Sequence, residues 1–209
     1  MDTLSHALWA AATGKGVNLR SPKKIKLGWM ALWAIVPDLF AFTPVVLWML
    51  WQIYYNGVPF SDIPRPEIMS PEQRNAIFIL RLSEKLYHIS HSFVIFLLLF
   101  FLAWMIARYR MQQRRKGDPV PKVSPGKQTS VCSPPWEMWG WFIHILTDIP
   151  THTGELYPTL FLWPLSDWYV DGNSWGTRRF MVTNYLSLLI VFLLLRVFGR
   201  KKANEPSKR

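Results

Sequence analysis

Long apolar runs alternate with polar stretches along the chain. The clearest run is 92–107, SFVIFLLLFFLAWMIA, which is free of charge and continues an apolar pattern beginning near Leu86. A second run, 184–198, is broken only by Arg196. Residues 28–55 form a third, interrupted by Pro37, Asp38 and Pro44, and residues 136–149 a shorter fourth. About 20 apolar residues cross a bilayer core, so the third run is ample and the fourth needs help from its flanks. The pattern predicts an all-α, polytopic membrane helical bundle with about four spanning helices.

Two further helices are expected outside these runs. Residues 2–14, DTLSHALWAAATG, are alanine-rich and proline-free, with Gly14 and Gly16 as C-terminal stops. Such an element is about 20 Å long and reaches only part-way through a membrane. Pro59, Pro64, Pro66 and Pro71 make residues 57–71 irregular, after which Ser70-Pro71-Glu72-Gln73 supplies an N-cap, a first-position proline and a capping-box glutamine. An amphipathic helix starts there and can run unbroken through His88 and His91 into the second span. Residues 1–200 then form one membrane-embedded domain, with 111–135 a flexible basic cytoplasmic linker and 201–209 a disordered basic tail.

Charge changes the picture by its placement. Lys and Arg outnumber Asp and Glu 24 to 13, which would suit a nucleic-acid binder. The excess, however, is segregated. Residues 15–26 hold five basic residues and no acid, residues 108–127 seven against Asp118, and the tail from Arg196 six against Glu205. Residues 56–87 and 149–183 are nearly balanced. Strongly basic and balanced segments alternate, as expected if every basic segment and the C-terminus are cytoplasmic. The expected partner is the lipid bilayer, with no role for nucleic acid. Trp and Tyr cluster at the ends of the apolar runs, as interfacial anchors do. The N-terminus lacks a basic region ahead of its apolar stretch, so no cleavable signal peptide is expected.

Candidate chemistry lies in the histidines. All five fall near apolar runs, where ionisable groups are costly and mark function, and Asp38 and Asp148 share that status. Counting helical rise from the basic loops puts His6 and Asp38 at about 15 Å depth, His144 and Asp148 at about 12 and 18 Å, and His91 at about 25 Å, capping the layer on its outer side. His144 and Asp148 are spaced i, i+4 and share a helix face; Asp2 and His6 share the same spacing. His88 and His91 are spaced i, i+3, and His152 extends the His144 face past Pro150. Asp2 by itself reads as a first-turn acid favoured by the helix dipole. Cys132 is the sole cysteine, so neither an internal disulfide nor a thiolate cluster can form, and any metal must be held by imidazole and carboxylate. That donor set suits zinc, and also manganese or iron, as one ion or two, and two-ion sites of this kind commonly hydrolyse phosphoesters.

The segments Met1-Asp2-Thr3-Leu4-Ser5-His6 with Gly14, Pro37-Asp38, Ser90-His91-Ser92, His144-Ile145-Leu146-Thr147-Asp148 and Trp163-Pro164-Leu165-Ser166 resemble, in order and spacing, the LexA-regulated, membrane-bound metal-dependent hydrolase family. The resemblance implies an inner-membrane helical fold, a metal site at His6, Asp38, His91, His144 and Asp148, and hydrolysis. The His-x3-Asp element is also similar to that of zinc-dependent phospholipases C, which points toward phosphoesters. Two positions depart from the family pattern: Phe40 stands where a second acid often follows Asp38, and Leu86 where a histidine is usual, with His88 two residues on.

The leading expectation is a membrane hydrolase using a metal-activated water on a phosphoester or related bond of a lipid or lipid-linked substrate. Its ligands are expected among His6, Asp38, His88, His91, His144, Asp148 and His152, with Asp38, His91 and Asp148 carrying the catalysis. Trp168, Tyr169 and Trp175 could rest on headgroups, and Arg178 and Arg179 could attract phosphate. A transporter of metal ions or protons is the alternative, because intramembrane His and Asp also line ion paths. A non-catalytic scaffold whose histidines only hydrogen-bond between helices is the third.

Overall fold

The computed structural model describes residues 1–117, 134–155 and 157–204, and among them the chain is helical, without strands. Its α-helices are α1 (Thr3–Arg20), α2 (Leu27–Tyr54), α3 (Pro71–Ala76), α4 (Phe78–Ser90), α5 (Phe93–Gly117), α6 (Trp139–Asp148) and α7 (Arg178–Asn204). Three of these contain segments long and apolar enough to cross a membrane: Leu27–Tyr54, Phe93–Gln113 and Arg178–Arg200. The fourth apolar run folds as a short 3-10 turn, Trp136–Met138, followed by the 10-residue α6. At about 1.5 Å per residue α6 is roughly 15 Å long and cannot cross a bilayer core alone.

Boundaries differ from expectation in instructive places. α1 does not stop at Gly14 or Gly16 but continues to Arg20. Gly14 serves packing: a Cβ there would lie 2.7 Å from Met30 Sδ and 2.9 Å from a Leu27 methyl, so the missing side chain lets α1 approach α2. α2 remains helical through both Pro37 and Pro44. The capping box at Ser70 and Gln73 is present, yet α3 lasts only to Ala76 before Ile77 turns extended and α4 begins. α4 does not run on into α5. It ends at His91, and Ser92 restarts the helix by accepting the Val94 and Ile95 amides on its Oγ while donating that hydroxyl to the Trp163 carbonyl. The expected linker is helical up to Gly117 and the expected tail up to Asn204; the remainder of both, 118–133 and 205–209, lies outside the described residues.

Two small apolar clusters hold the bundle. Ala10, Met30 and Ala34 join α1 to α2, and Phe96, Phe100, Met138, Trp141 and Ile145 join α5 to α6. α7 is fastened to α1 by polar contacts. The Asn184 amide donates to Ser5 Oγ at 2.7 Å and accepts from Trp9 Nε1 at 2.9 Å, while the Tyr185 hydroxyl donates to Asp2 at 2.9 Å. Asp2 is also the N-cap of α1, receiving the Ser5 amide. Polar bonds between membrane helices are worth about 0.6 to 1.7 kcal/mol each. Asn184→Leu, which removes two, is therefore expected to destabilise the protein by about 1–3 kcal/mol, read as a lowered midpoint of thermal unfolding in detergent.

Candidate metal centre

Four elements deliver the site. His6 comes from the second turn of α1, Asp38 from the middle of α2, His91 from the end of α4, and His144 and Asp148 from one face of α6. The break after α4 aims His91: had the helix continued into α5, the backbone there would follow the span instead of turning at φ −105° and ψ 25°. His6, His91 and His144 are wholly buried, Asp148 is 1 % exposed and Asp38 8 %, so Asp38 is the member nearest to access.

Asp38, His91, His144 and Asp148 each offer a ligand atom within 4.8 Å of all the others. His91 Nε2 and His144 Nε2 are 2.8 Å apart, and both lie 3.2 Å from Asp148 Oδ2. Asp38 Oδ1 is 3.5 Å from His144 Nε2 and 3.7 Å from His91 Nε2. The other oxygen of Asp148 faces a second set, His6 Nε2 at 3.0 Å, His152 Nδ1 at 3.5 Å and the Met1 amino group at 2.5 Å. Asp148 thus stands between two groups of donors.

The partners of the opposite ring atoms decide what those nitrogens can do. His144 Nδ1 lies 2.6 Å from the Ala34 carbonyl and His91 Nδ1 3.0 Å from the Tyr87 carbonyl. A carbonyl oxygen only accepts, so each Nδ1 carries its hydrogen and a neutral ring presents a bare Nε2. His6 Nδ1 meets Thr147 Oγ1 at 3.1 Å, and because that hydroxyl donates to the α6 backbone, His6 is the donor there as well. Three imidazole lone pairs therefore converge on two carboxylates. Of these atoms, His6 Nε2 and Asp148 Oδ2 are buried without a hydrogen-bond partner. One proton could serve one of these contacts; a divalent ion serves all four members of the group. Bonds of about 2.0–2.2 Å in a tetrahedral arrangement give edges of about 3.3–3.6 Å. The four imidazole–carboxylate separations, 3.2 to 3.7 Å, lie close to this, and the two Nε2 atoms, at 2.8 Å, would have to part to admit an ion. The four residues could hold a metal ion, and their outer ring atoms are tied to backbone carbonyls as metal-bound histidines commonly are.

The remaining expected residues fall differently. His152 reaches the rim, with Nδ1 donating to the Asp148 carbonyl at 3.3 Å, but it is not one of the four. His88 is not brought in at all. The buried stripe of α4 is Leu80, Ser83, Tyr87 and Ser90, and His88 sits about 100° around the helix from Tyr87. There it is partly buried, with Glu84 and Asp167 as its acidic neighbours and His91 as the one site residue it feels. Position 86, a leucine, supplies no substitute ligand.

Several supporting residues escaped the sequence reading. Tyr87 stacks on His91 at 3.6 Å and bonds Thr159 Oγ1 through its hydroxyl at 2.9 Å. The Thr3 hydroxyl donates to Asp38 Oδ2 at 2.6 Å. Trp141 donates to the Ser90 carbonyl at 2.6 Å, and so pins α6 to the helix break. Thr3 and Thr147 each stand within the short segments that carry the family resemblance, and Tyr87 stands i−4 from His91; these were the available signals. The Met1 amine and the Ala34 carbonyl are backbone groups, to which side-chain patterns are blind.

A helical bundle with three potential membrane spans around a buried His/Asp cluster defines a membrane protein with a candidate metal centre. The chain belongs to the family described as YdjM inner membrane protein, whose model matches residues 1–207. That description gives a location and no reaction. No curated protein and no solved structure matches the chain significantly.

Proposed function

We propose that this protein is a membrane-bound metal-dependent hydrolase acting on a phosphoester or related bond of a lipid or lipid-linked substrate. The observation that carries this reading is the convergence of the His91 and His144 Nε2 atoms with Asp38 and Asp148, with His6 on the other oxygen of Asp148 and Asp38 at the accessible side. A divalent ion, zinc foremost on donor grounds and manganese or iron next, supplies Lewis acidity and an activated water in such a site.

The chain's own groups then have distinct tasks. His91, His144 and Asp148 would hold the ion from the buried side, and the Ala34 and Tyr87 carbonyls keep both rings in the tautomer that ligation needs. Asp38 completes the set from the mouth, which it lines with Thr3, Phe42, His152, Tyr157 and Trp175 in a cavity of about 360 Å³. The Thr3 hydrogen bond occupies Oδ2 and orients Asp38 Oδ1 inward, toward His91 and His144, where it would serve as a ligand oxygen. An ion path is the weaker reading, because α2 carries no ionisable side chain between Lys26 and Asp38 along which a cation could leave.

Metal analysis of detergent-purified protein tests the proposal. About one to two equivalents of a divalent transition metal per chain are expected. Chelation should remove both the metal and hydrolysis of bis(p-nitrophenyl) phosphate, and zinc should restore both. Protein without metal, and unchanged in metal content by His144→Ala, would overturn it.

A further inference from the structure

Beside the mouth of the metal centre lies a second cavity, of about 560 Å³, within the size range of sites that bury a small ligand. Its walls are mainly hydrocarbon and aromatic, with Phe42, Val45, Val46 and Met49 from α2, Leu80 from α4, and Phe60 from the connection between them, where Arg65 is the one charged residue of the lining. Two residues, Phe42 and Tyr157, line both cavities. Their rings meet edge to face at 5.3 Å and so form the partition between the polar chamber and the apolar one. Tyr157 holds this place with φ 51°, in the left-handed region that a residue with a bulky side chain rarely adopts. Strain of this kind costs about 1–3 kcal/mol and persists where the surroundings impose it, commonly beside ligand sites.

Resting on the hydrolase reading above, we infer that the apolar cavity is the subsite for the hydrocarbon chain of the substrate, and that the Phe42–Tyr157 pair is the specificity-determining junction between chain and scissile group. The amphiphile this fits is a lipid whose polar ester reaches Asp38 while its chain lies along α2. Bilayer lipid is the occupant the surroundings supply, because α2 is itself one of the apolar spans and exposes Leu39, Phe40, Leu47 and Leu50 beside the cavity-lining residues. A water-soluble phosphoester would leave these apolar walls without a role. The junction also sets chain selectivity: Phe42→Ala widens the passage and favours bulkier or branched chains.

Photolabelling tests the assignment. The full-length protein in phosphatidylcholine vesicles is irradiated with phosphatidic acid carrying a diazirine on its acyl chain. Labels should concentrate in residues 42–49 and 60–66. Val45→Trp, which fills the cavity from α2, should lower labelling there about tenfold, the loss that follows from about 1.4 kcal/mol of lost binding. Leu80→Phe, from the opposite wall, should act in the same direction, and metal content equal to the native protein shows that either variant is folded. Labels spread evenly over α5 and α7, or unchanged by both fillings, overturn the subsite. The two readings fail separately. Localised labelling on a protein that holds no metal would sink the hydrolase and leave a lipid-binding cavity, whereas metal and phosphoesterase activity without localised labelling would sink the cavity alone.

Discussion

Asp148→Ala is expected to abolish metal retention, with a loss of affinity of at least about 100-fold, beyond what removal of outer-shell partners typically costs. No other side chain touches so much of the site. One of its oxygens lies 3.2 Å from both His91 and His144, and the other 3.0 Å from His6. Without it two clusters of donors lose their shared anion, and Asp38 alone is left to balance a cation among the imidazoles. Zinc titration into chelated protein measures the effect directly. Thermal unfolding gives an independent view: a ligand present at 100 times its dissociation constant stabilises the native state by about 2.7 kcal/mol, so zinc should raise the midpoint of the native protein and leave Asp148→Ala unmoved. His88→Ala is the matched control. That ring lies off the buried stripe of α4, and its removal should leave the zinc response intact. A response lost in His88→Ala and kept in Asp148→Ala would mean that the metal sits elsewhere.

The contrast between His88 and Asp148 shows where sequence reasoning succeeds. Spans were legible because a bilayer demands unbroken apolar length, and the runs 28–55, 92–107 and 184–198 supply it. Convergence of His6, Asp38, His91, His144 and Asp148 was legible for a related reason: rise per residue from a basic loop is a ruler, and spacing of four residues fixes a face. What failed depended on backbone events that leave no periodic trace. The stop at His91 and restart at Ser92 lie inside an apolar stretch, so a continuous helix was the simpler expectation, and on a continuous helix His88 and His91 would share a face. Gly14 and Gly16 looked like terminators because glycine ends helices, whereas Gly14 is needed where α1 presses on Met30. Local chemistry alone cannot separate these two uses of glycine; the neighbouring helix decides between them.

The second large effect concerns a residue that offers no ligand. Gly140 lies one turn before His144 on the same face of α6, at the crossing with α2. A Cβ added there would stand 1.9 Å from the Met30 carbonyl oxygen and 3.0 Å from the Ala34 amide nitrogen, both backbone atoms that no rotamer change can move. Relief requires the helices to part by roughly 1.5 Å to regain ordinary van der Waals contact. That separation breaks the 2.6 Å bond from His144 Nδ1 to the Ala34 carbonyl, which sets the His144 tautomer, and draws His144 and Asp148 away from Asp38. Gly140→Ala is therefore expected to cost about 1–3 kcal/mol of stability as an overpacked contact. It should also weaken zinc binding about 10- to 100-fold by displacing intact ligands. Gly28→Ala, near the start of α2, makes the same chemical change where nothing lies within 4 Å, and should shift stability by less than about 0.5 kcal/mol. Calorimetric zinc titration of the three proteins separates the cases. Native affinity in Gly140→Ala would show that the site tolerates movement of α6 against α2, and the close crossing would then be packing without a role in metal binding.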